Sequence, residues 1–475
     1  MGFSIQIEPE FTTHAPRARS RVRAVQSVEW FTGFQILCQL ALLVPQLGAL
    51  RFMFRIAAFG ASIYMLIVHP SRARQRHPCA VAALAILFLL TISLFNPTTN
   101  SWEAGIAQIA LYAAILGPLF WVPALSVDTD AMHRVLLILW GFYALSSVFG
   151  VLQVLFPGHF QPALAPQFAG GGYDYLKSLM IRTNNGENVF RPMGLTDTPG
   201  GAALGGFYAL LLSMGLLVTE SRTKHRLLFA GTMAAGLAAI GLSEVRSVLV
   251  MAALSSTIFL GLLFALKMKL AQRPRRFARH RRQIKLAFLV AVVAAVIVIG
   301  SVLALSIARK SVSDRFATLF EGQSTSDVYY ASRGHFLTYT LDIYLPKYPL
   351  GAGLGRWGMT YQYFGDHLNL ASPPEWVEIQ WTGWLLDGGI PLVLAYLVAL
   401  CIALKVALKI TFDPGNAQLS VFGALMVAYD ISALADTFDY AFFISQRGLE
   451  FWLLNAILFA AARTEARRRA GGNSG

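Results

Sequence analysis

The sequence predicts an all-α polytopic membrane protein of about twelve transmembrane helices, with a long, partly helical outer loop between the ninth and tenth spans. Three observations carry that expectation. Of the 475 residues, 56% are hydrophobic and only 13% charged, whereas a soluble chain carries roughly a quarter charged residues. The apolar residues fall in repeated runs of about 17 to 23, each long enough to cross a ~30 Å hydrocarbon core, where the backbone must satisfy its own hydrogen bonds as a helix. The basic residues gather in alternate connections, as the positive-inside rule requires.

Taken in order, a cytoplasmic tail (1–30) holds basic residues from Arg17 to Arg23 with no small-residue cleavage site after them, so the first helix is read as retained. Spans are expected at 31–50, 52–68, 79–95, 104–123, 135–156 and 200–218. They continue at 227–242, 248–266 and 286–307, and then at 390–408, 419–434 and 449–462. The tail 463–475 is basic from Arg463 to Arg469. Both termini then lie inside, with Arg72, Arg74, Arg76, Arg222, Arg226 and the 267–285 connection on the same side. Arg51 and Arg55 are the awkward pair, expected at the outer interface between the first two spans.

Two connections are long, and both are assigned outside. The 157–198 loop balances Lys177, Arg182 and Arg191 against Asp174, Glu187 and Asp197. The large periplasmic loop (308–389) is too long for a passive linker. Within it, Phe336, Tyr339, Thr340, Ile343 and Tyr344 recur at helical spacing after Arg333. The net charge of +14 therefore encodes orientation and contact with membrane lipids of the inner leaflet, not nucleic-acid binding. Cys38, Cys79 and Cys401 offer no disulfide framework and no metal spacing, so neither a metal nor another cofactor is expected.

The candidate chemistry lies in polar groups at the outer helix ends, where burial is expensive. Arg191 precedes a span, Arg246 sits in the tight Ser243–Ser247 turn beside Glu244, and Arg333 opens the loop helix. Glu378 leads towards Leu385 and Pro391. Guanidinium groups fork onto phosphate oxygens, and a carboxylate can take a proton from an attacking hydroxyl. Each residue has a plainer reading. Arg246 can pair with Glu244, Arg333 can cap its helix, Arg191 can bond loop carbonyls, and Glu378 can be an interfacial carboxylate beside Arg356. His367 is a loop residue or an alternative base. The glycine turn from Gly351 to Gly355 follows no strand and carries no Lys-Ser/Thr, so it is not read as a nucleotide loop.

Four segments together resemble the O-antigen ligase and polymerase superfamily of bacterial membrane glycosyltransferases. They are Phe190-Arg191-Pro192-Met193-Gly194 with Thr198-Pro199; Ser243-Glu244-Val245-Arg246-Ser247; Ser332-Arg333-Gly334 with Tyr348-Pro349-Leu350-Gly351-Ala352-Gly353; and Leu385 to Pro391. They occur in the family's order and cover roughly 190–398.

The resemblance implies a GT-C-like bundle in the bacterial inner membrane with its active site facing the periplasm. It implies a metal-independent, inverting transfer from an undecaprenyl-pyrophosphate-linked glycan donor to a lipid-linked glycan acceptor, alongside other polysaccharide-assembly proteins. Arg191, Arg246 and Arg333 would hold the pyrophosphate, with Arg356 and Glu244 in support, and Glu378 would be the base. Where the family carries a His-Asn pair, this chain has Glu378-Ile379, which favours a polysaccharide polymerase over a ligase acting on lipid A core. A transporter or a non-catalytic assembly subunit is the reading from another class.

Overall fold

The computed structural model describes residues 16–72, 75–156, 159–160, 180–182, 188–198, 200–271, 293, 300, 334–413 and 415–472. The chain is an all-α membrane protein. Among the described residues seven helices are long and apolar enough to cross a bilayer, eight if one bent pair counts as a single span. Apart from 293 and 300, the expected span at 286–307 lies outside the described residues, as does Arg333.

The first helix, α1, runs Pro16–Ala41. It ends well before the expected 50 because Pro45, which lacks an N–H and presets a helical φ, opens a separate 3-10 segment, Pro45–Leu50. That segment leads directly into α2, Arg51–Val68. The short apolar α3 spans Ala80–Ser93. Next come α4, Trp102–Leu116, and α5, Pro118–Trp121, bent by 43° about Gly117 and Pro118. Then follow α6, Thr129–Leu155, and a hairpin of β1, Met180–Arg182, with β2, Asn188–Phe190. After it come α7, Gly201–Thr219, α8, Thr223–Ser243, and α9, Arg246–Ala271. Side-chain caps mark the starts of α4 and α6, where Ser101 and Asp128 accept from the N–H groups of Ala104 and Ala131.

The stretch after Gly334 is helical, as its spacing suggests, but built in three pieces: α10, His335–Tyr339, a π-turn, Thr340–Tyr344, and α11, Leu345–Lys347. Thr340 and Tyr344 face inward while Tyr339 and Ile343 are exposed. The remaining helices are α12, Gly358–Phe364, α13, Gln380–Thr411, α14, Ala417–Asp436, and α15, Gln446–Gly472.

The middle of the bundle is α7, 89% of whose apolar window is buried, with α14 next at 78%; Pro45–Val68, at 22%, lies at the edge. Gly206 and Gly236 let α7 and α8 touch backbone to backbone, since a Cβ on Gly206 would sit 2.4 Å from the Gly236 carbonyl oxygen.

Alternate connections segregate to two ends. At one, Arg463 donates to the Gln75 carbonyl (2.8 Å), while Arg468 pairs with Asp128 (3.2 Å) and Arg469 with Asp413 (3.4 Å). At the other, Arg55 pairs with Asp197 (3.3 Å) and Ser247 Oγ donates to Asp439 (3.1 Å). There too the Gln380 N–H donates to the Thr437 carbonyl (3.0 Å).

At that second end α13 begins at Gln380, ten residues ahead of the expected 390. It is broken inside by Gly388 (φ −157°, ψ 15°) and Gly389 (φ 65°, ψ −160°). The break frees backbone groups that the 349–352 segment takes up: Ala352 N–H donates to the Leu386 carbonyl (2.7 Å) and Ile390 N–H to the Pro349 carbonyl (2.9 Å). The glycine turn is therefore a packing device. Gly351, at φ 101°, leaves room only for Gly388, and Gly353, at φ 84°, sits against the Thr98–Thr99 backbone.

Candidate functional site

A cavity of about 470 Å³ opens among α1, α2, α4, α6, the start of α7, α12 and the 440–453 stretch, at the end away from the basic C-terminal tail. Its volume lies within the ~300–1,000 Å³ usual for small-molecule sites.

Two ion pairs, each of a half-buried arginine with a buried aspartate, border it. Arg55 Nη2 lies 3.3 Å from Asp197 Oδ2, and Arg447 Nη1 lies 3.6 Å from Asp436 Oδ2. The Arg447 guanidinium also covers the Tyr440 ring at 5.3 Å. One turn along α15, Glu450 Oε2 accepts from the Tyr143 hydroxyl (2.6 Å), while its Oε1 is shielded from solvent with no hydrogen-bond partner among the described residues. Gln446 and Gln35 join across the cavity by an amide–amide hydrogen bond.

A second carboxylate, Asp387, closes the neighbouring wall. It is fully buried and accepts from Tyr112 (2.7 Å), Gln108 (3.0 Å) and the Trp357 indole (2.8 Å). Gln108 in turn accepts from Thr360. Since Gln108, Trp357 and Thr360 also line the cavity, this saturated node fixes one of its walls.

The 190–200 motif is held by α6. Gln153 Oε1 accepts from the N–H groups of Met193 and Gly194 (both 2.9 Å), and Ser146 Oγ from that of Leu195 (3.0 Å). That grip lays the Arg191 guanidinium over Gly200, where a Cβ would come within 2.7 Å of Nη2. Gly200, at φ 77°, suits this position by its left-handed conformation, and a side chain there would push the Arg191 guanidinium aside. From the same segment Thr196, Asp197 and Thr198 face the cavity.

Arg246 is the first residue of α9 and is half-buried. Its neighbour Ser247 bonds Asp439, next to the cavity-lining Tyr440. Glu244 is buried and takes a left-handed φ of 53° at the end of α8. Glu378 is half-exposed, accepts from the Trp376 indole (3.1 Å), and lies between cavity-lining Val377 and Gln380, which is tied to Thr437. The segments carrying Arg246 and Glu378 thus meet the 436–447 connection, and the 191 segment reaches the same end through Asp197, while none of the three side chains lines the cavity itself.

Two expected contributors stand elsewhere. His367 is exposed, packs edge-on against Tyr361 (4.9 Å) and is not in the cavity wall. Arg356 is buried and spent on the loop: it donates to the carbonyls of Pro373 and Ala352 and pairs with Glu375 (2.9 Å). The carboxylate beside Arg356 is therefore Glu375, not Glu378. Glu375 also accepts from Tyr344 (2.7 Å), whose hydroxyl pKa is pushed up by burial and by that bond.

The residues that sequence reasoning passed over are Arg447, Glu450, Tyr143 and Asp387. A signal existed for the first two: a cation and a carboxylate three residues apart at the threshold of an apolar run. No family model matches the chain, and no curated protein matches it.

Proposed function

We propose that the chain is a polysaccharide polymerase of the bacterial inner membrane. It has about twelve spans in a GT-C-like arrangement, cytoplasmic termini, and a periplasmic active site at the cavity end. The observation that supports this reading best is the gathering of the Arg191, Arg246 and Glu378 segments at one end of the bundle beside an open cavity with polar and aromatic side chains in its walls.

The donor is an undecaprenyl-pyrophosphate-linked glycan that enters laterally from the bilayer. Arg191, Arg246 and Arg333 hold its pyrophosphate, where negative charge grows as the glycosidic C–O bond breaks. The acceptor is the hydroxyl of a second lipid-linked glycan. Its oxygen attacks the anomeric carbon from the opposite face, its proton passes to Glu378, and undecaprenyl pyrophosphate leaves. The configuration inverts and no metal is required.

The test is glycan analysis of a deletion strain carrying wild type, Glu378→Gln, Arg191→Ala or Arg246→Ala, with protein amounts checked by immunoblot. The polymerase reading predicts that single lipid-linked repeats accumulate and polymer disappears in the variants. Long polymer retained on its lipid carrier would make the enzyme a ligase. Normal glycan from every variant would refute the site.

A further inference from the structure

The cavity is well supplied with hydrogen-bonding groups yet has no spare positive charge among the described residues that line it. Its guanidinium groups, Arg55 and Arg447, are each matched by an aspartate, and Glu450 adds a third carboxyl. A pyrophosphate brought here would displace a buried aspartate from its arginine and face Glu450 as well. Five glutamines line the walls instead: Gln108 and Gln35 are held by Asp387, Thr360, Ala58 and Gln446, while Gln39 and Gln362, with no side-chain partner among the described residues, offer both donors and an acceptor. Ser146, Thr32 and Thr198 add hydroxyls, and Phe142, Tyr208, Trp357 and Tyr440 supply flat apolar faces.

Alternating amides, hydroxyls and aromatic rings suit a ligand with hydroxyls around its edge and C–H groups on its faces. Glu450 lines the cavity and supplies a local demand: its Oε1 is shielded and has no donor among the described residues. Leaving such a group unmatched is costly, and a ligand hydroxyl would satisfy it.

We propose that this cavity binds an uncharged, hydroxyl-rich sugar residue of the glycan, with Glu450 accepting a ligand hydroxyl, and that the pyrophosphate stays outside it. This rests on the glycosyl-transfer reading and deepens it. The enzyme separates its substrate by charge, phosphate on the arginines of the 191 and 246 segments and neutral sugar in the cavity. A repeat unit carrying a uronic acid at the bound position is selected against by Glu450.

The test uses the full chain in lipid nanodiscs. Saturation-transfer NMR is recorded with the methyl glycosides of glucose, galactose and mannose, and with glucuronate; inorganic pyrophosphate is added as a competitor. At least one neutral glycoside is expected to bind, glucuronate at least tenfold more weakly, and pyrophosphate should displace neither. Glu450→Gln keeps the shape but removes the charge that strengthens the hydrogen bond, and should weaken the neutral glycoside about tenfold. Gln362→Leu, at the exposed mouth, should weaken it severalfold and decides the matter if Glu450→Gln fails to fold.

Tighter binding of glucuronate, displacement by pyrophosphate, or no bound glycoside from the folded wild type would overturn the proposal. The cellular glycan assay reads the transfer reaction separately. Glycoside binding without any change in cellular glycan would break the polymerase reading and leave the sugar pocket. Loss of polymer with no glycoside bound would do the reverse.

Discussion

Asp387 and Glu450 are both carboxylates on apolar helices, and both take a tyrosine hydroxyl, yet they sit in opposite states of satisfaction. Asp387 receives three side-chain donors, and its own carbonyl accepts from Ser93 Oγ (2.5 Å). Glu450 receives one, and its second oxygen is shielded from solvent with no partner among the described residues. A saturated buried carboxylate ties helices and loop together; an unsaturated one beside open volume is a place for a ligand. The contrast separates architecture from function within a few turns of the same bundle.

The largest expected effect breaks the architectural member. Asp387→Ala strands the donors of Tyr112, Gln108 and Trp357 and should cost about 3–5 kcal/mol, read as a collapse of the thermal unfolding midpoint in detergent. Gly389→Ala comes next. It puts a Cβ at a left-handed φ of 65°, with the Pro349 carbonyl oxygen only 2.3 Å away. A loss of about 2–3 kcal/mol is expected by the same measurement.

Glu450→Gln sharpens the comparison from the other side. Stability should move by no more than about 1 kcal/mol, because Tyr143 keeps a partner, while polymer yield falls on the order of tenfold. If the midpoint collapsed as for Asp387→Ala, Glu450 would be architectural too.

Two smaller effects belong to the basic end. His77 accepts the Cys79 N–H at Nδ1 (3.1 Å), and burial pushes its pKa down to about 3. The unfolded chain binds that proton first, near pH 6.5, so this contribution is complete above about 6.5 and is lost as pH falls towards 3. His77→Gln should flatten the acid limb of a stability–pH curve. Arg468→Ala removes a half-exposed pair with Asp128 and should shift stability by about 0–1 kcal/mol, screened by salt.

The membrane class was legible because hydropathy is written along the chain. The cavity was not, because it is made by elements far apart in sequence. The Leu385–Pro391 stretch shows the limit most clearly. Two glycines and a proline signal a turn, and a span was expected only after them; instead the helix starts at Gln380 and tolerates the break because Pro349 and Ala352 take up its freed backbone groups. Arg356 carried the same ambiguity. Nothing local distinguishes an arginine that binds phosphate from one that binds Pro373, Ala352 and Glu375. Arg447 and Glu450 were visible as charges beside an apolar run, but their partners Asp436 and Tyr143 lie 11 and 307 residues away along the chain. Topology alone sets the expectation that the Arg191, Arg246, Arg333 and Glu378 segments share one face, since alternate connections do; Arg333 lies outside the described residues.

The most direct test of the central claim is transfer by the purified protein in proteoliposomes supplied with an undecaprenyl-pyrophosphate-linked repeat, with glycan length and released undecaprenyl pyrophosphate measured together. The account predicts a ladder of longer lipid-linked glycans, one undecaprenyl pyrophosphate released per new glycosidic bond, and neither from Glu378→Gln. Folded protein that lengthens no glycan and releases no undecaprenyl pyrophosphate would contradict it.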